Sequence, residues 1–174
     1  VASEFVNLLQ RRRALNWAGF GACVALMGYA LYAEVMLGLE PCPLCVFQRI
    51  AVIVLGAVFL VAALHHPRSR SGARLYAGLI GLAALGGAAV AAQHVRLQNM
   101  PADQVPACGP GLDFMLDVFP LHEAVRMVFT GSGECAEIDW SLLGLSMPAW
   151  VLMACVGLGA FGVVVNWRRG GAGL

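Results

Sequence analysis

The chain has 174 residues, of which 60% are hydrophobic and only 12% charged, against roughly 25% charged in an ordinary soluble domain. That deficit excludes a globule wrapped in a polar shell and points to lipid as the main solvent. A net charge of +1 supplies no basic field for nucleic acid, so no nucleic-acid partner is expected.

Four apolar stretches follow one another along the chain, from about Ala14 to Val35, Leu44 to Leu64, Leu75 to Ala92 and Met147 to Val165. Each is close to the ~20 residues that carry a helix across a ~30 Å hydrocarbon core. Helix is the default there, because no water is available to the backbone amides. The third stretch is crowded with small residues, Gly81, Gly86, Gly87 and the run Ala88–Ala92, which suit close helix packing. The expected fold is therefore all-α: one membrane domain over residues 1–174, built as a four-transmembrane-helix bundle in the lipid bilayer.

Arginine supplies every basic side chain and sets the orientation. Arg11, Arg12 and Arg13 precede the first span, Arg68, Arg70 and Arg74 lie between the second and third, and Arg168 and Arg169 follow the fourth. The positive-inside rule makes both termini cytoplasmic, and the loops from about Met36 to Pro43 and Gln93 to Ser146 face outward. The first span is longer than the apolar core of a signal peptide and three more spans follow it, which argues against cleavage.

Of the six cysteines, Cys23 and Cys155 fall inside spans and behave as small apolar side chains. The other four lie in the outward loops, where an oxidising compartment lets disulfides persist. Cys42-Pro43-Leu44-Cys45 carries the most chemistry. The spacing lets two sulfurs bond at the start of a helix, where the amide dipoles favour negative charge at Cys45. A static bridge is the bland alternative, but a ring that small restrains little of an unfolded chain. A zinc site is another, although Cys108 and Cys135 stand 27 residues apart and form no second Cys-x-x-Cys. Cys108 sits in the turn Pro106-Ala107-Cys108-Gly109-Pro110, displayed to a protein partner. Cys135 follows the flexible Gly131-Ser132-Gly133-Glu134, which suits a disulfide that opens and re-pairs and equally an ordinary loop staple. Between them Leu121, Val125, Val128 and Phe129 recur at helical spacing. They suggest a short helix, either interfacial on the membrane or packed only on the other loop.

Arg49 comes four residues after Cys45, on the same face of the second span and at its outer edge. A guanidinium there calls for a partner. It either snorkels to lipid phosphates or holds a cysteine thiolate and a carbonyl oxygen of a quinone head group. His94 and Glu34, at the outer ends of the third and first spans, are its possible polar neighbours.

Taken together, Glu40-Pro41-Cys42-Pro43-Leu44-Cys45-Val46-Phe47-Gln48-Arg49, Gln93-His94-Val95-Arg96-Leu97-Gln98, Gly131-Ser132-Gly133-Glu134-Cys135-Ala136-Glu137 and Gly144-Leu145-Ser146-Met147-Pro148-Ala149-Trp150 resemble the disulfide bond formation protein B (DsbB) family over nearly the whole chain. The resemblance implies a bundle in the bacterial inner membrane with a quinone, ubiquinone or menaquinone, at its periplasmic end. It implies that Cys42 and Cys45 form the inner redox pair, with Arg49 as partner of Cys45 and His94 and Glu34 on quinone-proximal positions. Cys108 and Cys135 match the outer pair, Cys108 forming the mixed disulfide with a DsbA-like periplasmic thiol oxidase. The implied activity is thiol:quinone oxidoreduction that reoxidises this partner. A vitamin K epoxide reductase-like enzyme is the alternative, but its Cys-x-x-Cys lies on a late helix whereas this one opens the second span.

Overall fold

The computed structural model describes residues 2–101, 103–105, 112–131 and 133–167. Cys108 with its turn Pro106–Pro110, Ser132, Arg168 and Arg169 lie outside the described residues. Among the described residues four helices are long and apolar enough to cross a membrane: α1 (Ala2–Leu37), α2 (Pro43–His65), α3 (Arg70–Gln98) and, last in the chain, α7 (Met147–Trp167). Between α3 and α7 come the short helices α4 (Leu112–Val118), α5 (Leu121–Thr130) and α6 (Gly133–Ala136), then a hairpin of β1 (Ser141–Leu142) and β2 (Leu145–Ser146).

Local chemistry fixes the helix ends. Pro43 opens α2, where its missing N–H costs nothing. At the other end His66 turns left-handed and its N–H caps the Ala62 carbonyl. Ser69 caps α3 by accepting from the Gly72 N–H at 3.1 Å. The hairpin turns on Leu143 and Gly144, both at positive φ, as the type I′ form of a two-residue connection requires. Helices α1 and α3 run beyond the apolar stretches read from hydropathy. Polar residues such as His94 stay helical at the end of α3 because tertiary contacts, not lipid, receive them.

The bundle is apolar inside and out. Leu82 and Leu85 are exposed by 69% and 68%, and Ile53, Val61 and Val156 are also exposed, a surface suited to lipid. Helix α3 packs mainly on α7 and also on α2, and α2 packs on α1. Phe59 of α2 is fully buried against α1, α3 and α7. A methyl group built on Gly19 of α1 or Gly162 of α7 would come within 2.7 Å of its ring. Small residues therefore let the backbones approach and the ring fill the space between them.

Its two ends differ in character. At one, Arg12, Arg13 and Arg68 gather around His66, whose pKa is lowered by burial first and then by these three charges. The first and last helices are joined there by Asn16 and Asn166, both 1% exposed, with the Asn166 amide donating to the Asn16 oxygen at 3.0 Å. At the other end α5 and α6 close over the bundle. Leu44, Leu97, Met115, Ala124, Val128 and Cys135 form a buried cluster. Helix α5 packs on the protein through Ala124 and Val128 and leaves Leu121 exposed. It stops at Gly131, at φ +89°, whose N–H caps Met127 and where a Cβ would collide with Leu97. Gly131→Ala is expected to destabilise the protein by about 1–3 kcal/mol. Thermal unfolding in detergent measures this, and a wild-type melting temperature would contradict the packing described.

Candidate functional site

The site is built on the first turn of α2. Cys42 is its N-cap, extended at φ −64° and ψ 163°, so its side chain turns back over the helix start. The Cys45 N–H donates to Cys42 Sγ at 3.4 Å, and the two sulfurs stand 3.0 Å apart. One free amide of the turn, that of Cys45, thus reaches the Cys42 sulfur.

Helix α3 brings His94 against this turn, 2% exposed, with Nε2 3.8 Å from Cys42 Sγ. Its other ring nitrogen, Nδ1, lies 2.8 Å from the side-chain nitrogen of Gln48, itself 4% exposed. A glutamine amide serves either imidazole tautomer, donating to a bare Nδ1 or, rotated, accepting from Nδ1–H. Gln48 therefore holds the ring and keeps Nε2 aimed at the sulfurs. Sequence reasoning assigned Gln48 no role, although an amide inside an apolar span was itself a signal.

Arg49 is directed at α1. Its guanidinium forms an ion pair with Glu34 and donates to the Ala30 carbonyl at 3.4 Å. The expected neighbour is thus present, but Glu34 acts on Arg49 and does not line the adjacent cavity. Arg49 does line it and stays within electrostatic reach of Cys45. Cys135 differs from the sequence expectation of a flexible turn. It sits on α6, fully buried in the cluster against which Cys42 packs. Cys23 and Cys155 are buried within α1 and α7, away from this layer.

A cavity of about 380 Å³ opens beside the cysteines. Ala30, Ala33, Val52 and Val151 give it an apolar wall, while Cys42, Cys45, Arg49 and His94 face it from α2 and α3. The connection before α7 adds Trp140 with the acidic Glu134, Glu137 and Asp139. Gln98 also lines it and is held by Ser146, whose hydroxyl donates to Oε1 at 2.6 Å. Such a pocket can take a flat, largely apolar molecule and bring its polar atoms to a dithiol, a guanidinium and an imidazole.

Comparison with known proteins gives the same family over most of the chain. The profile described as disulfide bond formation protein DsbB matches residues 12–165. A "Disulfide bond formation protein B" of Nitrosococcus oceani is 50% identical over 93% of this chain and 95% of its own length. Another, of Hahella chejuensis, is 51% identical over 90% and 94%. "Disulfide bond formation protein B 1" of Pseudomonas aeruginosa is 48% identical over 90% and 96%.

Proposed function

The chain belongs to the disulfide bond formation protein B family, and from that premise we propose that it is a thiol:quinone oxidoreductase that reoxidises a DsbA-like periplasmic dithiol protein. The observation that carries this reading is the Cys42–Cys45 pair in the wall of the cavity, beside Arg49 and His94. The protein sits in a bacterial inner membrane with its arginine-rich end in the cytoplasm and its cysteine end in the periplasm.

The residues present fit a quinone. The apolar wall of Ala30, Ala33, Val52 and Val151 suits an aromatic head group, and Arg49 and His94 are donors for its carbonyl oxygens. Either ubiquinone or menaquinone meets these requirements. A bound quinone supplies the two-electron, two-proton acceptor that closing the Cys42–Cys45 bond requires.

The protein's own steps are thiol–disulfide exchanges. A partner thiolate attacks Cys108 of a Cys108–Cys135 disulfide, forming a mixed disulfide and releasing Cys135 as a thiolate. Cys135 attacks Cys42, breaking the Cys42–Cys45 bond and freeing Cys45 as a thiolate. Arg49 offsets that charge, with Glu34 holding the guanidinium in place. The second partner sulfur then attacks its own mixed disulfide, so the partner leaves oxidised and Cys108 departs as a thiolate. Cys108 attacks the Cys42–Cys135 bond, restoring the outer disulfide and leaving Cys42 and Cys45 reduced.

The test is oxidation of a reduced DsbA-like protein by the purified enzyme under anaerobic conditions. Turnover is expected only when quinone is added; turnover in a quinone-free preparation would overturn the reading. Arg49→Ala should raise the KM for quinone by about 10-fold or more, the scale of a lost charge-assisted hydrogen bond. Covalent capture of the partner should persist in that variant. An unchanged KM would remove Arg49 from the quinone site.

A further inference from the structure

The described part of the molecule holds one group of side chains whose geometry suits a second kind of ligand. We propose that the reduced protein binds one soft divalent cation, zinc above all, through Cys42 Sγ, Cys45 Sγ and His94 Nε2. All three atoms lie within 4.8 Å of one another. Tetrahedral zinc takes sulfur at about 2.3 Å and imidazole nitrogen at about 2.0 Å, so neighbouring ligand atoms stand roughly 3.5–3.8 Å apart. The Cys42–His94 edge is already 3.8 Å, and the sulfurs, 3.0 Å apart, need only part by less than about 1 Å.

Three further features favour a cation. Gln48 reaches the imidazole at Nδ1; with its amide turned so that the oxygen accepts from Nδ1–H, Nε2 is left bare for the metal, the outer-shell support that zinc-bound histidines ordinarily have. The cavity is also lined by Glu40, Glu134, Glu137 and Asp139, whereas the charge of Arg49 is offset by Glu34. That field draws in divalent ions. The cavity also leaves room for water as a fourth ligand. This set differs from the four-cysteine site considered from the sequence, because a histidine replaces the distant pair.

Binding releases the two thiol protons and moves no electrons. It commits both sulfurs to the metal, so the Cys42–Cys45 bond cannot form while the ion is held. The oxidised pair offers no thiolates and has little affinity. The metal therefore traps the reduced state.

The test uses the full chain in detergent with Cys108→Ser and Cys135→Ser, so that the inner pair is the redox pair that remains. Reduced, quinone-free protein is titrated anaerobically with zinc chloride, and in parallel with cobalt(II) as a spectroscopic probe. The expected result is one equivalent bound with sulfur-to-cobalt charge-transfer absorption, and binding at least about 100-fold weaker after the pair is oxidised with diamide. His94→Ala should weaken binding by about 10-fold or more, and Gln48→Leu, which keeps all three ligands, by about 10-fold. Equal affinity in the reduced and oxidised forms, absence of the sulfur band, or wild-type affinity in either variant would overturn the proposal. Neither quinone nor partner protein is present, so a negative result bears on the metal site alone.

Discussion

Cys45→Ser is expected to abolish quinone-linked oxidation of a dithiol partner, with a loss of at least about 1,000-fold in turnover. The sulfur of Cys45 lies 3.0 Å from that of Cys42, and serine cannot supply the second sulfur of the bond that must close there. Because Cys42 keeps its place as N-cap of α2, the fold and the outer cysteine layer should survive. On the proposed route the variant should separate two stages: partner capture at Cys108 is expected to persist, while the inner pair can neither open nor re-form. Anaerobic turnover with added quinone measures the loss, and a non-reducing gel reads the trapped mixed disulfide. Turnover above about 1% of wild type would show that electrons leave by a route that does not need Cys45.

Phe59→Ala carries the largest expected effect on stability, a loss of about 3–5 kcal/mol. Its ring is fully buried, and Gly19, Gly162 and Ile80 approach the same space from α1, α7 and α3. In lipid the helices gain little from the hydrophobic effect on meeting, so close packing carries more of their association. Deleting the ring leaves a void against the backbones of α1 and α7, which Gly19 and Gly162 have already brought close. Unfolding in mixed micelles monitored by circular dichroism gives the difference. A loss under about 1 kcal/mol would mean that the helices re-close around the gap.

The spans were legible because each is an uninterrupted apolar run, a signal that needs no tertiary contact. The Cys42–Cys45 pair was equally legible, since three residues at a helix start place two sulfurs together without help from the rest of the chain. What escaped depends on meetings across the fold. His94 and Gln48 stand 46 residues apart, and nothing local says that their side chains share a hydrogen bond. Glu34 was a candidate neighbour of Arg49, but the packing of α1 on α2 decides that it holds the guanidinium and does not face the cavity. Cys135 looked mobile because of Gly131 and Gly133. Cys135 is nevertheless buried on α6, because Leu44, Leu97 and Val128 come to it from three other elements. The far ends of α1 and α3 escaped for a related reason: hydropathy detects where lipid begins and stops, not where a helix does.

The paired amides of Asn16 and Asn166 have a consequence for biogenesis. The two residues are 150 positions apart, and ribosomes add about 5–20 residues per second. For roughly 8–30 s after Asn16 is synthesised, its eventual partner does not yet exist. During that interval the nascent first helix carries an amide that must stay near the lipid headgroups or borrow a hydrogen bond from the insertion machinery. Arrival of the last helix ends the wait, so the ring of spans is sealed by the final transmembrane segment to leave the ribosome.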